Sequence, residues 1–249
     1  MARIRNESER QALISSLDAH FGFKMKGLKL EEIIDGQREK IAFLLDEIKV
    51  TRGDEFIPQT EADIIPTSSQ KFILATILNA IKYNEPVLLV GMPASGKTTL
   101  IRYLAKQKQT NLFYINLSLD TGLEELLGGY VQDEKGRWYY RKGMLFKAVE
   151  EGFWLLVDEA NLSSLSEYLN TLIDFGYVID EEGNIYQAHP CFKLFLAINP
   201  PRIHTSRNLL SPSLRSRFFE IWVEEITRER ELRYLVNQWI SPDVDKDTL

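Results

Sequence analysis

Sulfur and imidazole are scarce in this chain. Its 249 residues include one cysteine, Cys191, and three histidines, His20, His189 and His204. A single thiol excludes an internal disulfide framework and a cysteine-built zinc site, and three scattered imidazoles give no metal cluster. Long apolar runs are missing too. Stretches such as Pro86-Val-Leu-Leu-Val90 are strand-sized, far below the roughly 20 residues of a membrane span. The start, Met1-Ala-Arg-Ile-Arg, lacks the apolar stretch of a signal peptide. There is no excess of positive charge: Lys and Arg number 30 against 36 Asp and Glu, a formal net charge of −6. That balance argues against affinity built on neutralising the phosphates of a duplex, so nucleic acid is not indicated as a partner. These absences point to a soluble protein of a reducing compartment, cytoplasmic or, in a eukaryote, nuclear. What the chain does have is a core. With 44% hydrophobic and 11% aromatic residues it is not disordered, and its length suits one large α/β domain or one domain with a small appendage.

Three regions follow from the pattern. Residues 1–65 read as a helical amino-terminal appendage and linker. Leu13, Ile14, Leu17 and Phe21 sit at helical spacing, as do Ile33, Ile34, Ile41, Leu44, Leu45 and Ile48, before a polar stretch from Thr51 to Pro66. From 66 to 226 helical segments alternate with five apolar runs of strand length: Val87–Val90, Leu112–Asn116, Phe153–Val157, Phe192–Ile198 and Phe218–Val223. Their continuous rather than alternating hydrophobicity predicts strands covered on both faces, as in a parallel sheet between two helical layers. Residues 227–249 begin an amphipathic helix with Leu232, Leu235, Val236 and Trp239, stopped at Ser241-Pro242.

Gly91-Met-Pro-Ala-Ser-Gly-Lys-Thr98 fits the pattern G-x-x-x-x-G-K-[ST] in full, directly after one apolar strand and before a helix. Glycines at both ends let the loop curl so that backbone N–H groups from Gly91, Met92, Pro93's neighbours, Ala94, Ser95 and Gly96 surround phosphate oxygens, with the helix amino terminus at Lys97, Thr98 and Thr99 adding its positive end. Lys97 can reach the β- and γ-phosphates, and the Thr98 hydroxyl can bind Mg²⁺. Phe153-Trp-Leu-Leu-Val-Asp-Glu159 is an apolar strand ending in two carboxylates, costly to leave there without a task. Asp158 would hold Mg²⁺ and Glu159 would orient the attacking water. Asn199, at the end of Leu196-Ala-Ile-Asn-Pro200, would face the γ-phosphate if its strand lies between the first and third. Arg215 and Arg217 precede the last strand, and neither has an evident carboxylate partner in the local sequence. One of them could cross a subunit interface to stabilise transition-state charge; the plain alternative is a surface salt bridge. Cys191 reads as a small core residue and His189 as structural, while Arg202, His204 and Arg207 read as a solvated loop.

In this order and at these distances the elements resemble an AAA+ ATPase, over roughly Thr67 to Ile226. The finer text is similar to the midasin/dynein-related branch and its MoxR-type relatives, notably in Leu126-Leu-Gly-Gly-Tyr130, Lys142-Gly-Met-Leu145, Glu151-Gly-Phe-Trp-Leu-Leu-Val-Asp-Glu-Ala-Asn-Leu162, Asn199-Pro-Pro201 and Leu210-Ser-Pro-Ser-Leu-Arg-Ser-Arg-Phe218. The resemblance implies a three-layer αβα P-loop NTPase with a five-stranded parallel sheet ordered 5-1-4-3-2, and a hexameric ring with ATP and Mg²⁺ bound between modules. It makes Lys97 and Thr98 part of Walker A, Asp158 and Glu159 Walker B, Asn199 sensor 1, and Arg215 or Arg217 the arginine finger. It also implies an insert over Leu126 to Met144, containing Trp138, Tyr139 and Tyr140, and a β-hairpin over Tyr177 to Tyr186. The helical lid is cut short, with no sensor 2 arginine, which fits a minimal ATPase or a fragment. The function implied is Mg²⁺-dependent ATP hydrolysis at a subunit interface, remodelling a macromolecular client, with a von Willebrand factor A-domain protein as a candidate partner whose metal site is the docking handle. Two alternatives stand beside it: a nucleotide-binding module that switches assembly without turnover, and a GTP-driven motor like the McrB branch.

Overall fold

The computed structural model describes residues 40–59, 67–117, 122–159, 166–200 and 210–226, together with Glu231. The helices expected before residue 40 and after Thr227 therefore lie outside the described residues, apart from a helical Glu231. So do Arg202, His204 and Arg207.

Helix α1 (Ser68–Lys82) starts where its sequence says it should. Thr67 and Gln70 form a reciprocal capping box, satisfying two amides of the first turn. Leu74, Ile77, Leu78 and Ile81, at helical spacing, are fully buried. Strand β1 (Val87–Val90) leads through the glycine-bounded loop into α2 (Lys97–Lys108) and β2 (Leu112–Asn116). Next come α3 (Gly122–Leu127), an antiparallel hairpin of β3 (Gly128–Gln132) and β4 (Trp138–Lys142), then α4 (Met144–Glu151) and β5 (Trp154–Asp158). The chain continues through α5 (Ser166–Phe175), a second hairpin of β6 (Tyr177–Ile179) and β7 (Ile185–Gln187), β8 (Lys193–Ile198), the short α6 (Pro212–Arg215) and β9 (Phe219–Trp222).

The main sheet is five-stranded and parallel, ordered β2-β5-β8-β1-β9. Counting only these strands and reading from β9, that is the expected order 5-1-4-3-2. Alternate residues along each strand feed two separate cores, which is why the runs are apolar throughout. Leu88, Val90, Leu155 and Val157 pack with α4 and α5, whereas Val87, Leu89, Trp154 and Leu156 pack with α1 and α2. The helical layers thus cover both faces.

Residues 40–47 are helical, and Leu44 and Ile48 join the α1–α2 core. The stretch after them, polar enough to read as a linker, is in its described part bonded along the outer edge of β2. Asn111 Oδ1 accepts from the amides of Asp54 (3.0 Å) and Phe56 (3.1 Å), Leu112 N–H donates to the Phe56 carbonyl (3.0 Å), and the Phe56 ring meets Phe113 edge-on at 4.9 Å. Asn111, buried, supplies two bonds of this tie through one oxygen, and polarity alone does not reveal it.

Candidate active site

The loop after β1 owes its shape to small residues. A Cβ on Gly91 would stand 2.3 Å from the Val223 carbonyl oxygen, so the loop passes too close to the β9 end for any side chain there. Gly96 (φ 89°) and Ala94 (φ 63°) take left-handed conformations, free for glycine and costing alanine roughly 1 kcal/mol. Gly96 caps α2 without offering a side-chain acceptor, so the first amides of a twelve-residue helix stay open to an anion. The Ser95 hydroxyl is buried with no partner among the described residues. Met92, Pro93, Ala94 and Thr99 face outward.

Lys97, only 7% exposed, folds back into this loop. Its Nζ donates to the carbonyls of Gly91 (2.8 Å) and Met92 (2.9 Å) and to Asn199 Oδ1 (3.1 Å). Burial holds its pKa below the ordinary lysine value, while the charges of Asp158 and Glu159 push it back up. The Thr98 hydroxyl donates to Asp158 Oδ2 at 2.8 Å. Residues from the ends of β1, β5 and β8 therefore meet at one point, because β8 lies between β1 and β5. Glu159 follows directly, its N–H donating to Asp158 Oδ1 (3.0 Å) and its backbone held at φ 55°. That conformation is strained for glutamate.

The donor set suits magnesium. Thr98 Oγ1 and Asp158 Oδ2 are hard oxygens already within hydrogen-bond distance, and no group of three or more His, Cys, Asp or Glu among the described residues could hold a metal alone. A metal here would draw its remaining ligands from water and phosphate oxygens, the habit of Mg²⁺.

Two neighbours escaped the sequence reading. The Tyr114 hydroxyl donates to Asp158 Oδ2 at 3.4 Å, and the Arg102 guanidinium lies 4.6 Å over the Tyr114 ring. Burial first, and the Asp158 charge next, raise the Tyr114 pKa, so it stays a donor. The only signal was its place on the strand paired with β5.

Both arginines before β9 have carboxylate partners in the fold; for Arg215 this corrects the expectation that the local sequence supplies none, whereas the partner of Arg217 comes from a distant segment. Arg215 makes two 2.7 Å bonds to Glu220, across the turn from α6 into β9. Arg217 makes bonds of 2.8 and 2.7 Å to Asp174 at the end of α5, and a third group of contacts to Ser213. Within the chain they are held by these acids, not by the phosphate-loop residues.

The insert and the second hairpin stand as antiparallel pairs, joined by Tyr130 OH donating to Glu182 Oε1 (3.2 Å). Tyr140 tucks its hydroxyl onto the Leu127 carbonyl (2.8 Å), whereas Trp138 and Tyr139 are exposed. Asp180 organises the second turn, accepting from the amides of Glu182 and Asn184, the Asn184 side chain and the Tyr186 hydroxyl. His189 is structural, its Nδ1 accepting from Cys191 N–H. No helix among the described residues is long and apolar enough to cross a membrane.

Residues 86–218 match the family profile of the AAA domain, dynein-related subfamily. Midasin of Dictyostelium discoideum is 37% identical over 179 residues, covering 68% of this chain and 3% of that protein. Midasin of Giardia intestinalis is 33% identical over 72% of this chain and 4% of its own length. The denitrification regulatory protein NirQ of Pseudomonas aeruginosa is 28% identical over 64% of this chain and 62% of its own. The chain thus spans a few per cent of the midasins. A crystal structure of a candidate ATPase from Cytophaga hutchinsonii shares the fold, with a TM-score of 0.54 at 21% identity, over 85% of this chain and 59% of that one.

Proposed function

The chain belongs to the dynein-related subfamily of AAA domains, an AAA+ protein of midasin and MoxR type, and on that premise we propose that it binds ATP with Mg²⁺ and hydrolyses it where modules meet in a ring, working on a protein client. The observation that carries this reading is the meeting of Lys97, Thr98, Asp158 and Asn199 at the ends of three strands. On ATP binding, the Lys97 ammonium exchanges its carbonyl acceptors for phosphate oxygens; burial has already stripped it of water, and its two carboxylate neighbours favour its charged form. The open amides of α2 and the unpartnered Ser95 hydroxyl take the remaining oxygens. Thr98 and Asp158 would hold Mg²⁺, which supplies charge neutralisation on the transferring phosphoryl group. Glu159 accepts a proton from the attacking water, and Asn199 fixes the lysine against the γ-position. Arg215 or Arg217 of a neighbouring module would complete the charge stabilisation.

The exposed Trp138 and Tyr139 on the insert, and the hairpin tied to it through Tyr130, offer the client-facing surface. A von Willebrand factor A-domain is one such client, in keeping with the MoxR-type likeness. The domain division 1–65, 66–226 and 227–249, and a ring of six, belong to the same proposal.

Glu159→Gln should leave ATP affinity within a few-fold while steady-state phosphate release falls by about 10²- to 10⁴-fold. Undiminished release in that variant would remove the assigned water-activating role. No measurable release from the unaltered chain at any concentration, with ATP still bound, would favour a nucleotide-switched assembly module instead.

A further inference from the structure

At the end of the sheet away from the phosphate loop, a cavity of about 280 Å³ opens between the α1–β1 turn, the end of α5 and the approach to β8. Its walls include Leu172, Ile173 and Phe192, and its polar lining includes Asn84, His189 and Lys193. Strand β1 is four residues long, so about 13 Å of backbone separates this cavity from Gly91. The cavity shares no lining residue with the phosphate-loop site.

Lys193 is the anomaly here. It opens a strand whose six residues are all buried, and it is itself 7% exposed. Its ammonium donates to Asn84 Oδ1 and to the Pro190 carbonyl (3.2 Å), both neutral oxygens. One of its three N–H groups has no acceptor, and no carboxylate pairs with it, among the described residues. Glu85 also lines the cavity, but it is exposed and makes no ion pair with the lysine. Burial holds the ammonium's pKa below the ordinary lysine value. A buried cation without a counter-charge is disfavoured unless something supplies one, and an apolar residue would continue the buried strand without that cost. His189 adds a second donor: its Nδ1 accepts the Cys191 N–H, which leaves Nε2 to carry the ring proton.

We propose that this cavity binds a small aliphatic monocarboxylate, its carboxylate on Lys193 Nζ and its hydrocarbon body along Leu172, Ile173 and Phe192. The charge sign follows from the unpaired ammonium, the apolar body from the walls. The size follows from a volume at the lower limit of small-molecule sites.

Calorimetric titration of the full chain with isovalerate tests this, with isovaleramide as its neutral isostere. Runs with and without saturating ATP and Mg²⁺ keep the outcome separate from the phosphate loop: binding there would vanish with ATP present. Saturable isovalerate binding, unchanged by ATP and at least about tenfold tighter than the amide, is the expected result. Lys193→Met should erase the difference between acid and amide. Asn84→Asp, which keeps the turn and sets a fixed carboxylate on the ammonium, should weaken isovalerate at least about tenfold while the thermal midpoint holds or rises. Equal binding of acid and amide, no saturation by about 20 mM, or undiminished binding in Asn84→Asp would overturn the proposal. So would tighter binding of a capped glutamyl peptide, which would assign the cavity to a partner's side chain.

Discussion

Two lysines stand at opposite ends of one sheet, and each is 7% exposed. Both ammonium groups rest on neutral oxygens, and burial depresses both pKa values. They differ in what surrounds them. Around Lys97 the chain curls a loop, opens a helix amino terminus and sets Asp158 and Glu159 nearby, so the cation is charged in advance of its anion. Around Lys193 there are apolar walls, and among the described residues no carboxylate pairs with it. Burial alone is therefore a poor guide to what a lysine does; the neighbouring charges and donors decide it.

The sharpest way to break the comparison is to ask each lysine for nucleotide. Lys97→Met should weaken ATP by about 10- to 100-fold, the worth of a charge-assisted contact, in a fluorescent-nucleotide competition assay. Lys193→Met should leave ATP affinity unchanged. Equal losses in both variants would mean that Lys193 acts through the stability of the sheet, erasing the distinction.

The Lys97 end was legible because its information is local. Eight consecutive residues from Gly91 to Thr98 specify loop and helix start, and the apolar runs ending at Asp158 and Asn199 specify where their polar ends must emerge. The sheet order followed from resemblance, and the parallel register then brought the ends together. What the sequence hid was long-range pairing. Glu220 reaches Arg215 only because the chain turns between α6 and β9, and Asp174 reaches Arg217 from 43 positions away. Tyr114 reaches Asp158 across two paired strands. Lys193 is hidden for another reason: it stands at the polar start of the run Phe192–Ile198, and nothing in the run shows that the whole side chain is covered. The hairpins fall between these cases. The Glu181-Glu182-Gly183-Asn184 turn was visible, but the four bonds to Asp180 that hold it were not.

A smaller effect separates the two lysines in stability. Lys193→Met replaces an uncompensated buried cation with an apolar chain of similar length, and should stabilise the fold by about 1 kcal/mol at neutral pH in urea unfolding. Lys97→Met frees three oxygens of the phosphate loop and should give no such gain. Destabilisation by Lys193→Met would show that its bonds to Asn84 and Pro190 hold the β8 approach more strongly than the buried charge loosens it.

The smallest effect lies in the pH dependence of that gain. Between the depressed pKa of folded Lys193 and the ordinary lysine value of about 10.4, the unfolded chain binds more protons than the folded one, so stability rises with pH through that window. Below the folded pKa both states carry the proton, and the full cost of the buried charge remains. The advantage of Lys193→Met should therefore be largest near neutrality and shrink as the pH approaches 10.4, when the native side chain has become a neutral amine. For Lys97 the same window is narrowed by Asp158 and Glu159, which favour its charged form. Urea midpoints of the unaltered chain and Lys193→Met, taken in parallel across the alkaline range, read this directly. A gap that stays constant with pH would mean that Lys193 keeps its proton in the folded chain, held by an anionic partner.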